Sequence, residues 1–256
     1  MLGTLESIWR HPVKGFTPEA LDQVELAAGA CFPCDRLYAV EDGPSGFDPD
    51  APQHISKQKF TVLAKIPAVA RIRTSYDEAD GTLTARLDDS PAIRAVLTQV
   101  EGRERFAAWL TQTLGDEVRG PLRVLTAPGG HRFMDDEQGF VSVINLASVR
   151  DLEARVGRPI DPRRFRANLY VEGWPAWSEL GGEDRAVELG EARGRVVKPI
   201  VRCVATHVDP TSGERDLELV RALYDAYLHT FCGIYVSVTH SGRLRRGDKV
   251  GLEDAA

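Results

Sequence analysis

The sequence predicts an α+β fold in which β-structure predominates. Three observations carry this expectation. Short, partly alternating, β-rich runs recur through the first part of the chain, separated by turn residues. Only a few stretches space apolar residues as a helix does. The second half mixes helical stripes with further strand-like runs. At roughly 150 residues per domain, a chain of 256 residues is one large domain or two small ones.

The elements follow in order. Residues 24–26, 36–40, 68–73 and 82–87 read as strands. Gly43-Pro44-Ser45-Gly46 and Asp80-Gly81 separate them as turns. Strands at this spacing suggest a barrel or sandwich. Phe106, Trp109, Leu110 and Leu114 then mark one face of a helix, and Gly115 is placed to end it. Residues 122–125 form a strand before the loop Ala127-Pro128-Gly129-Gly130. A boundary near residue 118 divides the chain into domains 1–118 and 119–256. Beyond it, Ser148 is placed to cap a helix carrying Val149, Leu152 and Val156, which Gly157 ends. Residues 169–171 and 195–208 read as strands, the second broken by Pro199. Leu217, Val220, Leu223, Tyr224, Tyr227 and Leu228 make an apolar helical stripe. The last strands are 234–238 and a short one after Gly247-Asp248.

Composition excludes several classes. Lysine and arginine total 32 against 38 acidic residues, a net charge of -6. Nucleic-acid binding usually shows a basic excess, so it is not expected. A local basic pocket for a small anion remains compatible with this balance. No apolar run approaches the ~20 residues of a membrane span. The start, MLGTLESIWRHP, lacks the basic and apolar regions of a secretory signal. Four cysteines do not make a disulfide scaffold. The expected compartment is therefore the cytoplasm, with thiols reduced.

The candidates for chemistry are thiols and cations. Cys203 lies late in a strand-like run, just before the turn Asp209-Pro210-Thr211-Ser212-Gly213. Strand ends feeding turns often carry functional side chains, and Arg202 beside the thiol would favour thiolate. A buried structural thiol fits the same pattern. Cys31 and Cys34 form C-x-x-C, which can be a redox pair, half of a zinc site, or two loop cysteines. No second cysteine pair or H-x3-5-H completes a zinc site. The six histidines show no metal-like spacing, and no nucleophile elbow, P-loop or G-x-G-x-x-G occurs. Lys14 sits in His11-Pro12-Val13-Lys14-Gly15, where proline and glycine fix a backbone that could present amides to an anion. Arg36 follows Asp35 at a strand start. Arg163, Arg164 and Arg166 precede Asn168. Arginine suits phosphate, and asparagine can read a heterocycle edge.

These segments together resemble the MOSC family, named after the C-terminal domain of molybdenum cofactor sulfurase. The family includes the mitochondrial amidoxime-reducing component and stand-alone bacterial proteins. His11-Pro12-Val13-Lys14-Gly15 is similar to Y-P-V-K-S, and Cys34-Asp35-Arg36 to G-D-R. Arg164-Phe165-Arg166-Ala167-Asn168 is similar to R-F-R-P-N. Arg202-Cys203-Val204-Ala205-Thr206-His207-Val208-Asp209-Pro210 is similar to R-C-x-x-T-x-V-D-P. Gly233-Ile234-Tyr235 and Gly242 to Asp248 resemble the closing strands. The match runs in order over nearly the whole chain.

The resemblance implies an N-terminal β-barrel-like domain followed by a MOSC β-barrel domain with peripheral helices. It implies the molybdenum cofactor between them: molybdenum on the dithiolene of a pyranopterin phosphate. By this resemblance Cys203 ligates the metal and is catalytic. Lys14, Gly15, Arg36 and Arg166 bind the phosphate and pterin, and Asn168 lies beside them. Arg202 and Asp209 support the thiol, Asp209 being assigned with the catalytic group. Gly15, Cys34 and Ala167 depart from the motifs' serine, glycine and proline. No flavin, nicotinamide or iron–sulfur motif occurs, so electrons are expected from a separate reductase, ferredoxin or cytochrome.

Two functions from different classes follow. In the first, the protein is a molybdenum-dependent oxidoreductase that reduces small N-hydroxylated compounds. In the second, it is a non-redox cofactor carrier, or a sulfur carrier with a persulfide on Cys203. Residues 47–54 and 136–140 are candidate lid loops on their glycine and proline content.

Overall fold

Residues 2–10 near the start of the chain bury alternate side chains on either side of a break at Glu6-Ser7, as in a bulged strand with one face on a core. The computed structural model describes residues 1–254. In chain order the strands and α-helices are β1 (Leu2–Arg10), β2 (Glu19–Leu21), β3 (Gln23–Leu26), β4 (Tyr38–Asp42), β5 (Ile72–Asp77), β6 (Thr82–Leu87), β7 (Ile93–Val96), α1 (Val100–Leu114), β8 (Leu122–Thr126), β9 (Val141–Asn145), α2 (Leu146–Val156), β10 (Leu169–Glu172), β11 (Ala186–Leu189), β12 (Ala192–Val201), α3 (Leu219–Tyr227), β13 (Phe231–His240), β14 (Gly242–Arg245) and β15 (Lys249–Leu252). The protein is therefore mostly β, with three α-helices among the described residues.

Seven strands close a barrel in the order β1-β10-β9-β13-β12-β11-β15, with β15 pairing back to β1. Closure leaves no free edge within the ring. Only β9 and β10 run parallel. The first strand of the chain thus completes a barrel otherwise built from the C-terminal half. Leu5 and Ile8 from β1 pack with Val143, Leu169, Val236 and Val250 in its core. Full burial of each such side chain is worth about 1.5–3 kcal/mol. The close approach of β1 to β10 needs Gly3, because a Cβ there would lie 2.7 Å from the Glu172 carbonyl oxygen.

A second core lies beside the barrel. The β5-β6-β7 meander, the β4–β8 pair and α1 enclose Phe16, Val40, Leu83, Phe106 and Leu110. The face of α1 carrying Phe106, Leu110 and Leu114 is buried, and the helix stops at Gly115 with φ 52. Helices α2 and α3 pack outside the barrel around Val149, Leu152, Leu219 and Leu223.

Several expected elements shift. Residues 67–71 form a 3-10 turn that Pro67 starts, and β5 begins only at Ile72. Strand β4 begins at Tyr38, because Arg36 holds φ 49 and cannot be extended. The cap of α2 is Asn145, whose side chain accepts from the Ala147 amide. Ser148 lies inside that helix and donates to Glu179. Strand β12 passes through Pro199 unbroken, since the register shifts there and a missing N–H is tolerated. It ends at Val201, and residues 204–207 form a 3-10 turn capped by Cys203. Of the expected helical stripe, Leu217 and Leu223 are buried while Tyr224 and Leu228 are exposed, and Leu217 lies before the helix, which begins at Leu219.

Candidate functional site

A cavity of about 460 Å³ lies where the segment after β1 and the 3-10 turn 57–59 face the ends of β12 and β13. Its size suits a small cofactor or ligand. Lys14, Gly15, Arg36, Arg166, Arg202 and Cys203 all line it. Motifs separated by nearly two hundred positions in sequence therefore meet in one place.

Each side chain is held by a local device. The Lys14 amide donates to the Tyr38 carbonyl at 2.8 Å, which fixes the turn after β1. Its Nζ donates to the Phe133 carbonyl at 2.9 Å and to Asp135 Oδ1 at 2.7 Å. Burial pushes the Lys14 ammonium down, with Asp135 opposing. Gly15 has φ +87, and a Cβ would stand 2.8 Å from Val62 Cα, so this backbone has no room for a side chain. Arg36 and Arg166 also occupy the left-handed region, at φ 49 and φ 52. Cys34, at φ 53, adopts there the conformation that suits glycine.

Asp35 is the hub beneath the cations. It is fully buried and accepts from the His11 amide at 2.6 Å and Asn168 Nδ2 at 3.0 Å, and it pairs with Arg36. Burial alone would raise its carboxyl, but Arg36 and the hydrogen bonds hold it well below the carboxylate range. Arg36 also donates to the Arg166 carbonyl at 2.9 Å, and Arg166 donates to the Phe16 carbonyl at 2.8 Å. Burial, then the Arg36 charge, pulls Arg166 down to about 10. Both ring nitrogens of buried His11 lack a hydrogen-bond partner. Burial and Arg36 push that imidazole down to about 3, so it is neutral.

Arg202 donates to the Phe165 and Cys232 carbonyls at 2.8 Å each and lies over the Phe165 ring. Beside it Cys203 is a free, half-buried thiol. Its carbonyl accepts from the Thr206 amide and hydroxyl, which fixes the turn that presents the sulfur. The Lys57 ammonium lines the same cavity as that thiol. Burial lowers Lys57, but Asp135 and Cys203 outweigh it and the net shift is upward.

Two expected residues do not face the cavity. Asn168 is fully buried, and its side chain is spent on Ser142, the Trp9 carbonyl and Asp35. It ties β1 to β9 and to the hub. Asp209 accepts from the Thr211 and Ser212 amides at 2.8 Å each and pairs with Arg164 at 3.0 Å. That shapes the turn after the thiol. Of the expected lid loops, 136–140 contributes Asp136 and Phe140, whereas Phe47 and Pro49 border a separate cavity. Cys31 and Cys34 contact the Gly130 carbonyl and Glu78 outside the main cavity, and burial pushes both thiols up.

Sequence reasoning missed Lys57, Asp135 and Lys198, which also line the cavity. Lys57 and Asp135 come from segments with no periodicity or motif to mark them. Seven cations, Lys14, Arg36, Lys57, Arg164, Arg166, Lys198 and Arg202, thus face two lining carboxylates in a protein of net charge -6. Such a cavity attracts anions. Among the described residues no group of three or more His, Cys, Asp or Glu is placed to hold a metal ion. A metal at Cys203 would have to arrive with ligands of its own. A thiol beside a cationic wall fits a soft metal on a sulfur-bearing, phosphorylated carrier.

Comparison with known proteins identifies the family. A family profile described as "MOSC N-terminal beta barrel domain" matches residues 2–118, and one described as "MOSC domain" matches residues 129–251. Mitochondrial amidoxime reducing component 2 of Bos taurus is 22% identical over 97% of this chain and 83% of its own. Molybdenum cofactor sulfurase of Drosophila ananassae is 29% identical over 62% of this chain, which spans only 20% of that relative's length. Mitochondrial amidoxime reducing component 2 of Rattus norvegicus is 32% identical over 43% of this chain and 36% of its own. The solved structure of the YUAD protein from Bacillus subtilis aligns with 100% of this chain and 98% of its own at a TM-score of 0.46 and 11% identity.

Proposed function

Because the chain belongs to the MOSC family, with a function related to the molybdenum cofactor, we propose that it is a molybdenum-dependent oxidoreductase acting on small N-hydroxylated compounds. The observation that carries this reading is one half-buried thiol, Cys203, in a cavity walled by seven cations. The cofactor would lie between the N-terminal segment and the barrel. Cys203 would give the metal its protein ligand. Lys14, Arg36 and Arg166 would hold the phosphate and pterin, with the Gly15 backbone beside them. Asn168 and Asp209 would act from behind, Asn168 through the Asp35 hub and Asp209 through the turn after the thiol.

When bound, the cofactor supplies two-electron oxygen-atom removal; the chain supplies binding and orientation. An N-hydroxylated base then takes up two electrons and two protons and leaves as the reduced base and water. The Tyr235 phenol, raised by burial, is a neutral donor in the cavity wall. Phe133, Met134 and Phe140 give that wall an apolar part that limits water. The electrons would come from a separate protein of the reductase, ferredoxin or cytochrome class.

A second reading rests on the same half-buried thiol. In a cationic cavity, Cys203 would carry sulfur as a persulfide, and relatives named sulfurase match this chain. The test is turnover of benzamidoxime by cofactor-loaded protein with an artificial reductant. Cys203-dependent turnover supports the oxidoreductase. No turnover above background, with sulfane sulfur on Cys203, overturns it in favour of the carrier.

A further inference from the structure

The Lys14 ammonium is the most buried cation of the cavity wall that pairs with a half-exposed carboxylate. It is 6% exposed, while its partner Asp135 is 51% exposed at the side chain. Asp135 Oδ1 takes Lys14 at 2.7 Å and Oδ2 takes Lys57 at 3.2 Å. One anion thus bridges two ammonium groups, one per oxygen. The carboxylate has no other hydrogen-bond partner.

We propose that Lys14 and Lys57 form a two-lysine seat for the phosphate-monoester end of the ligand, and that Asp135 occupies this seat until the phosphate displaces it. The inference rests on the cofactor reading above and adds Lys57 and Asp135 to it. A phosphate monoester also offers two oxygens to the pair, and carries close to two charges where the carboxylate carries one. Arg36 and Arg166 line the same cavity, so the dianion gains more than the carboxylate loses. A buried ammonium is costly without an anion, which explains why the seat takes one from its own chain.

The loop allows the exchange. Phe133 is anchored, its amide donating to the Arg36 carbonyl at 3.0 Å and its ring packing against Phe47 and Phe60. On the far side Asp136 pairs with Lys198 at 2.5 Å. Gly139 follows with φ 70. Asp135 can therefore swing outward while its neighbours hold the strap to both sides of the cavity. Its displacement lowers apparent phosphate affinity by the fraction of time the seat is free.

The experiment titrates inorganic phosphate into cofactor-free full-length protein by calorimetry at constant ionic strength. Amide exchange over residues 134–139 is followed alongside. Asp135→Asn keeps the loop's size and removes the competing charge. It is expected to bind phosphate about tenfold more tightly than the wild type. Asp136→Asn, one residue away, controls for general loosening and is expected to stay within about twofold. Phosphate is expected to speed exchange over 134–139 in the wild type and not in Asp135→Asn. Equal affinity in the wild type and Asp135→Asn, or slowed exchange in the wild type, overturns the displacement while leaving the anion site standing. No phosphate binding by any of the three proteins overturns both the seat and the phosphate grip it rests on.

Discussion

His11 and Asp35 are both fully buried, and both ionise far from their ordinary range. The unfolded chain takes up a proton on His11 near pH 6.5, whereas the folded chain refuses it until about pH 3. The folded pKa is lowered, so His11 contributes stability above 6.5 that is lost as pH falls toward 3. Urea stability is expected to fall with a slope approaching ~1.4 kcal/mol per pH unit below that point. His131, His207 and His229 are also pushed down by burial, but they are partly exposed and add less. Asp35 adds its own loss only below roughly pH 4. His11→Gln cannot titrate and should flatten the profile between about pH 6.5 and 5; an unchanged slope contradicts the assignment. Asp35→Ala leaves Arg36, the His11 amide and Asn168 Nδ2 without their shared partner. A loss of about 3–5 kcal/mol in the urea titration is expected, and under about 1 kcal/mol would show that the hub is dispensable.

At the scale of elements, β1 decides whether the barrel closes. Gly3→Ala would push a methyl group to 2.7 Å from the Glu172 carbonyl and 2.8 Å from Val171 Cγ1. A loss of about 1–3 kcal/mol is expected by chemical denaturation. An unchanged midpoint would mean that the β1–β10 approach is looser than described. The same strand shows why parts of the fold were not legible in the sequence. Its pairing with β10 slips between Leu5 and Ser7, so strict alternation is lost over residues 2–10. Helix α1 was legible because its stripe is unbroken and Gly115 sits at its end. Pro199 looked like a strand break, but it falls at an irregular step of β12. Ser148 looked like a cap because its hydroxyl partner, Glu179, is distant in sequence.

At the scale of the whole molecule, the N-terminal strand is part of the C-terminal barrel, and the second core is built mainly from the chain between β3 and β9. That arrangement sets Lys14 and Arg36 opposite Arg166 and Cys203. Those cations and the thiol were legible because each stands in a short ordered motif. Lys57 and Asp135 were not, because loop geometry alone brings them to the wall, and Lys198 was not, because nothing in the sequence marks which face of β12 it occupies. Asn168 and Asp209 were legible as residues but not in their orientation, since their partners Ser142, Asp35 and Arg164 come from elsewhere in the chain. A cationic cavity in an acidic protein also predicts salt sensitivity. Phosphate affinity should fall about several-fold between low and physiological ionic strength, measured by calorimetry, and salt-independent binding would contradict the charged wall.

The central claim is that Cys203 is the protein's only bond to a metal that arrives on a phosphorylated carrier held by Lys14, Arg36 and Arg166. The most direct test measures molybdenum by elemental mass spectrometry and pterin by fluorescence in wild type and Cys203→Ala, both expressed in a host that makes the cofactor. The account predicts molybdenum and pterin near one per chain in the wild type, with metal lost and pterin largely retained in the variant. Wild-type protein carrying neither, or a Cys203→Ala variant that keeps its metal in full, would contradict it.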